Sequence, residues 1–244
     1  MAEAAAADRL LSDPDVLEAA GFDTHYIASD AVDAYDLARA AVGDFETSVD
    51  LIVYATALPS SSVGCGARRF AETGDVRWLM DYTGSRLQAE LESDAAVIGL
   101  GQQACTSALG AVRVARSLIL AGEAESALVV TADRFPDGAK YEQAFNLVSD
   151  GAAACLVSKE PGPFKIAGAA HITDGTLRTG TDNELVGGYF SHAVAVIERS
   201  GTANPRWLVP QNTHAGATRL LGSLLCVPED RVFVPSRPDV GHVI

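Results

Sequence analysis

The feature that constrains this chain most is Gly101-Gln102-Gln103-Ala104-Cys105-Thr106-Ser107-Ala108-Leu109-Gly110. An apolar run, Ala95 to Leu100, leads into it, and a helix-like stretch, Cys105 to Ala121, leads out; a second apolar run, Ala127 to Ala132, follows Gly122. This order reads as strand, tight turn, helix, strand: one βαβ unit with a cysteine where the helix begins. Ala108, Val112, Ala115 and Ile119 fall on one helix face, Arg113 and Arg116 on another, and Gly122 is placed to end the helix. The first N–H groups of a helix lack partners, and the helix dipole adds partial positive charge there. A thiol at that point is expected to lose its proton easily, and the thiolate is the nucleophile. The same position suits a small apolar thiol under a helix, so position alone leaves both readings open.

The 244 residues bury a sizeable core as one large domain or two small ones, and with 48% hydrophobic and 20% charged residues the chain is globular. Its net charge of -14 argues against nonspecific binding to nucleic acid or to an anionic membrane. No stretch approaches the roughly 20 apolar residues of a membrane span. Met1-Ala2-Glu3-Ala4 lacks the basic region and apolar core of a signal peptide. Cys65, Cys105, Cys155 and Cys226 lie far apart and form no metal-binding pair, so reduced thiols in the cytoplasm are expected. Cys65, between glycines, reads as part of a tight turn, and Cys155 as an inert core thiol.

Along the chain, residues 1 to 20 read as helical, with Pro14 near a helix start after Ser12 or Asp13. Helices are expected over Ala31–Val42 and Trp78–Leu91, and a buried strand over Asp50–Thr56. Phe135 to Leu147 reads as a pocket-lining loop, followed by a turn and a small-residue strand, Ser149 to Ser158. Pro161 to Pro163 reads as a linker dividing residues 1–160 from 161–244. The second part is expected to hold a strand at Lys165–Ala170, a helix at Glu184–Glu198, a short strand at Trp207–Pro210, a helix at Ala215–Leu225 and a strand-like Val232–Val234.

Four segments, in order, resemble the β-ketoacyl-acyl-carrier-protein synthase III branch of the thiolase superfamily. Gln103-Ala104-Cys105 resembles the nucleophile turn, and Ser149-Asp150-Gly151-Ala152-Ala153 the Gly-Asp-Gly-Ala-Gly-like start of a strand. Trp207-Leu208-Val209-Pro210-Gln211-Asn212 lies where such enzymes often have Val-Pro-His-Gln-Ala-Asn, and Gly241-His242 where many have Gly-Asn. Weaker similarity extends from about Gly21 to the end. The resemblance implies an α/β fold, a five-layer α-β-α-β-α sandwich of two similar halves, with the cysteine in 1–160 and the His/Asn loops in 161–244, usually as a homodimer. It implies a ping-pong acyltransferase: cysteine takes an acyl group from an acyl-CoA or acyl-carrier-protein thioester, then hands it on by carbon–carbon condensation or by acylating a hydroxyl or amine. No permanently bound cofactor is implied.

The departures from the family pattern direct the residue roles. Gln211 stands where the usual histidine is, and His242 where the usual asparagine is. The resemblance then implies Cys105 and His242 as the catalytic pair, Asn212 as a hydrogen-bonding group and His214 as a possible second polar group, with helix cap as its alternative. One remaining histidine fits simple acyl transfer better than decarboxylative condensation. The basic residue with which the resembled enzymes dock the carrier falls near Gly216 here, so the resemblance leaves carrier docking open, with Arg219 as a possible substitute. His25, His171 and His192 read as structural, and Asp150 as a turn former. The loops 59–85 and 134–147, with Val63, Phe70, Trp78, Met80, Phe135 and Phe145, are expected to line an apolar acyl pocket. The family has further strands before and after the matched segments, so the chain is expected to be part of a longer polypeptide. Two other readings stand beside the acyltransferase: a non-catalytic thiolase-like partner subunit, and a cysteine hydrolase on another α/β fold.

Overall fold

The computed structural model describes residues 2–22, 24–45, 48–58, 65–80, 82–136, 138–143, 146–201, 204–211, 213–233 and 242–243. In chain order the elements are α1 (Ala2–Ala6), α2 (Pro14–Ala19), α3 (Ala34–Val42), β1 (Leu51–Ala55), α4 (Cys65–Thr73), α5 (Thr83–Glu90), β2 (Ala96–Leu100), α6 (Ser107–Ala121), β3 (Ser126–Asp133), β4 (Glu142–Gln143), β5 (Asn146–Ser149), β6 (Gly151–Ser158), α7 (Asp182–Arg199), α8 (Ala215–Leu224) and β7 (His242–Val243).

β1 is a continuous apolar run, Leu51-Ile52-Val53-Tyr54-Ala55, buried at every position. Such a strand needs cover on both faces, and it gets it. The main sheet runs β2-β1-β3-β6, with β1 parallel to β2 and to β3, and β6 antiparallel on the edge. Ile52 and Tyr54 point to α3 and α5, where they meet Ala34, Ala38, Val42 and Leu87. Leu51, Val53 and Ala55 point to α6, where they meet Ala111, Ala115 and Ile119. The 3.6-residue periodicity of these helices and the two-residue alternation of the strand therefore close on each other. Asp33 and Asp36 exchange hydrogen bonds of 2.9 Å with each other's backbone N–H and start α3 with a capping box. Gly122, left-handed at φ 80°, ends α6 as expected. By length and composition Ala104–Ala121 is apolar enough to cross a membrane, contrary to the sequence reading, but here its apolar side lies on the sheet.

Several expectations are corrected. Trp78–Leu91 is not one helix: a 3-10 turn, Val76–Leu79, is capped by Asp75, Met80 is extended, and α5 starts afresh at Thr83. Gly84 fixes that start, because a Cβ there would come within 2.9 Å of Val97 and 3.1 Å of Tyr54. Cys65 begins α4 rather than sitting in a tight turn. Phe135–Leu147 is not simply a pocket loop. Tyr141 and Leu147 are buried with Leu10, Leu17 and Phe22, held there by the β4–β5 hairpin. Cys155 is exposed: it lies on the edge strand β6, which α6 covers less than it covers β1 and β3. Lys165–Ala170 forms no strand and is mostly exposed. Beyond 160 the chain contributes α7 and α8, which enclose a small core of Leu208, Leu221, Val227 and Val232. The expected strands at 207–210 and 232–234 shrink to a single bridge, Leu208–Val232.

Asp150 does more than form a turn. Its buried carboxylate accepts the N–H of Ala28 at 2.8 Å, the N–H of Phe135 at 2.8 Å and the hydroxyl of Tyr141 at 3.1 Å, so three separate segments meet on it. Burial, with the Asp150 charge beside it, pushes the Tyr141 phenol up, which keeps that hydroxyl a donor. Each carboxylate oxygen takes one backbone N–H, so an asparagine would turn its NH2 toward one of those donors. Asp150→Asn is expected to cost about 2 kcal/mol, and Asp150→Ala about 3 kcal/mol, because buried donors lose their acceptor. Urea unfolding read by circular dichroism measures both, and wild-type midpoints would show that the three segments are fastened some other way.

Candidate active site

β2 delivers the chain to the C-terminal edge of the sheet at Leu100. Five residues later Cys105 sits in a single 3-10 turn, Ala104–Thr106, directly ahead of α6. The turn is strained: Gln102 (φ 63°) and Ala104 (φ 46°) both occupy the left-handed region that favours glycine. Local bonds hold it. The Thr106 hydroxyl donates to the Gln103 carbonyl at 2.7 Å, and the Ser107 hydroxyl to the Ala104 carbonyl at 2.7 Å. The Gln103 side chain lies across Gly110, where a Cβ would stand 1.8 Å from its Oε1. That close seat explains the glycine within an otherwise ordinary helix.

A long-range bond completes the clamp. The Gln211 Nε2 donates to the Cys105 carbonyl at 2.6 Å, which brings the loop ahead of α8 onto the nucleophile turn. Gln211 stands where the resembled family has a histidine. Here that position is filled by a neutral donor to the backbone. Sequence reasoning registered Gln211 as a missing base and did not see this bond; its side-chain amide was the only signal.

The electrostatics correct a further expectation. Burial pushes the half-buried Cys105 thiol up; its own backbone N–H works against that, and the negative charge of Asp133 adds to the rise. No side chain caps the start of α6. The helix start therefore does not outweigh burial at this thiol. Asp133 itself is fully buried. Desolvation raises its pKa against the lowering effect of bonds from the Thr56 hydroxyl (2.5 Å) and the Ala57 and Leu58 N–H groups (each 3.1 Å).

The remaining site residues are distributed as follows. His242 opens β7, and its backbone lies beside Val148 in parallel register with β5; the description does not extend to its side chain. Asn212 lies outside the described residues. His214 caps α8, its Nδ1 accepting the Gly216 N–H at 2.9 Å, so this nitrogen is committed and the ring hydrogen sits on Nε2. His171 meets the Thr173 hydroxyl at 2.7 Å and His25 the Val148 carbonyl at 3.3 Å, both structural contacts. His192 lies on α7, 3.6 Å from Asp174. Of the expected pocket residues, Phe70, Trp78 and Met80 are exposed and Phe135 joins the Tyr141 core; Val63 and Phe145 lie outside the described residues. Among the described residues no group of three or more His, Cys, Asp or Glu is placed to hold a metal ion.

Comparison with known proteins bears out the resemblance. Residues 101–175 match the 3-Oxoacyl-[acyl-carrier-protein (ACP)] synthase III family. The fold is thiolase-like α/β, shared with solved structures. 3-Oxoacyl-(acyl carrier protein) synthase III, FabH, from Pseudomonas aeruginosa PAO1 is 22% identical with a TM-score of 0.66, over 97% of this chain and 78% of that one. A variant of OleA from Xanthomonas campestris, with bound lauric acid and lauroyl-CoA, is 17% identical with a TM-score of 0.69, over 97% and 78%. The acyltransferase ChlB3 is 18% identical with a TM-score of 0.70, over 99% and 80%. Comparison with curated proteins finds no match.

The Gln211–Cys105 bond is half-buried and joins residues far apart in sequence. Gln211→Ala is expected to lower stability by about 1 kcal/mol. It is also expected to speed hydrogen exchange of the amides at 103–107, where the strained turn loses its outer brace. Hydrogen exchange by mass spectrometry checks this, and unchanged protection would mean that the local bonds suffice.

Proposed function

We propose that the chain is a synthase III-like acyltransferase in which Cys105 carries the acyl group. The observation behind this reading is the placement of Cys105. It stands on a strained, braced turn past the C-terminal ends of the parallel strands β1, β2 and β3, at the start of a helix, inside the segment that matches the synthase III family. A cysteine there attacks the carbonyl of an acyl thioester. The carbon–sulfur bond to the donor breaks, the donor thiol leaves, and an acyl-cysteine remains for a second substrate to take. Acyl-CoA or an acyl carrier protein is the proposed donor. The OleA neighbour holds lauroyl-CoA, which supports that class.

Because burial holds the thiol up, a base has to take its proton; His242 is assigned that role, with Asn212 as a hydrogen-bond donor. The leading amides of α6 are the natural donors to the oxyanion. Gln211 has no titratable nitrogen and is already bonded to the Cys105 carbonyl. That favours simple transfer to a hydroxyl or amine over decarboxylative condensation, which asks for more polar groups at the reacting carbon.

A homodimer is part of this reading. β2, which leads to the nucleophile, is an edge strand of the main sheet, and such an edge invites pairing with a second copy. Light scattering is expected to give about twice the chain mass of 25.4 kDa, and a monomer of that mass would remove the dimer from the reading.

Intact-protein mass after incubation with a panel of acyl-CoA and acyl-carrier thioesters tests the chemistry. The wild type is expected to gain one acyl group and Cys105→Ala none. His242→Ala is expected to load about 100-fold more slowly. An adduct that persists in Cys105→Ala would move the nucleophile elsewhere, and no adduct with any donor would favour a non-catalytic partner subunit.

A further inference from the structure

The C-terminal ends of β2, β1 and β3 are joined by a chain of hydrogen bonds that the acyl-transfer reading does not use. Asp133, the last residue of β3, accepts the Thr56 hydroxyl at 2.5 Å and the N–H groups of Ala57 and Leu58 at 3.1 Å. Thr56, just past β1, donates its own N–H to the carbonyl of Leu100, the last residue of β2, at 3.1 Å. Leu100 leads straight into the turn that carries Cys105. One side chain on β3 thus braces β1, and through β1 the base of the nucleophile turn. The carboxylate is also fully buried, a costly place for a charge whose only structural task is to cap a turn.

We propose that Asp133 is a positioning residue for Cys105: through Thr56 it fixes the base of the turn that carries Cys105, and it places a buried negative charge at the strand ends where that turn begins. This rests on the reading of Cys105 as the acyl carrier. The charged and titratable groups facing Asp133 are Cys105 from the nucleophile turn and Asp150 from the β5–β6 junction. Arg134, the next residue, directs its guanidinium to the Phe135 carbonyl at 3.0 Å and to Asp30 at 3.6 Å. The thiol's rise, in which Asp133 takes part alongside burial, runs in the direction the geometry requires. A resting thiol of this kind is protected from stray alkylation and oxidation, because the thiolate is the reactive form.

The test is the pH profile of iodoacetamide alkylation, read by mass spectrometry on the Cys105 peptide in the full chain. Asp133→Asn keeps an acceptor for Thr56, Ala57 and Leu58 and removes the charge. Its Cys105 profile is expected to move to lower pH, with severalfold faster alkylation near pH 7, while the Cys226 peptide of the same sample stays unchanged. A purely structural role would leave the profile where it is, and an unmoved or upward-moved profile overturns the charge assignment. Thr56→Val keeps the charge and removes the hydroxyl link. Its maximal rate of acyl loading is expected to fall about tenfold with KM unchanged and the alkylation profile in place. Loading at the wild-type rate overturns the positioning assignment, and this variant decides the matter alone if Asp133→Asn does not fold. If no donor loads Cys105 at all, the acyltransferase reading fails while the alkylation profile still reports on Asp133. If donors load and neither variant responds, the acyltransferase reading stands and the Asp133 proposal falls.

Discussion

The burial of β1 on both faces is the constraint on which the rest depends. A strand with no polar face must sit between two helical layers and between two other strands, and here it does so with α3 and α5 on one side and α6 on the other. Parallel pairing with β2 and β3 then brings three strand C-termini to one edge, at Ala55, Leu100 and Thr131–Asp133 in register. Side chains from residues more than 70 apart in sequence are gathered there without a dedicated scaffold. The Thr56–Asp133 bond spans 77 residues of chain. The turn that carries Cys105 is therefore set on the sheet beneath it, the kind of support that the proposed acyl-carrying role would need.

At that edge two opposing effects act on Cys105. The start of α6 favours a negative charge, by an amount that falls off within a turn. Burial and the neighbouring Asp133 disfavour it, and these prevail. The balance follows from solvation: a helix end supplies a fraction of a charge, while loss of water removes the stabilisation of a whole one. On the acyltransferase reading proposed above, Cys105 would be a nucleophile that waits for a proton acceptor rather than one activated in advance. A chemistry that couples deprotonation to substrate binding follows more naturally from this than one that relies on a standing thiolate.

The parts of the fold legible in the sequence were those governed by local periodicity. Leu51–Ala55, Ala96–Leu100 and Ser126–Asp133 announced themselves as apolar runs, and α6 as an amphipathic stretch closed by Gly122. What escaped was set by distant neighbours. Cys155 looks buried by composition, but its exposure depends on how far α6 reaches across the sheet. Tyr141 looks like loop chemistry until Asp150 and Phe22 surround it. The Lys165–Ala170 run is expected as a strand but pairs with none among the described residues. At the site, the position of Cys105 was legible and its proton affinity was not, since burial is a property of the assembled sheet. Left-handed Gln102 and Ala104 leave no trace in sequence, because neither residue type prefers that conformation.

Gln211 shows why one substitution in a familiar position carries so much weight. An imidazole there would offer a titratable nitrogen to a reacting carbonyl. A carboxamide offers a permanent donor, and this one gives it to the backbone of Cys105 itself, at 2.6 Å. The loop ahead of α8 is thereby tied to the first half of the chain through the backbone of Cys105. Its neighbour in space, the α2–α8 contact, reinforces the link: the Ala215 N–H bonds the Ala20 carbonyl at 3.2 Å, and the Ala215 side chain lies 3.2 Å from where a Cβ on Gly21 would stand. Gly21 sits at φ 96°, so both its conformation and its closeness to Ala215 exclude a side chain. Two separate segments of the first half thus grip the same loop. On the proposed reading, a glutamine at 211 adds to the stiffness of the Cys105 turn, and any acid–base work would have to come from another loop.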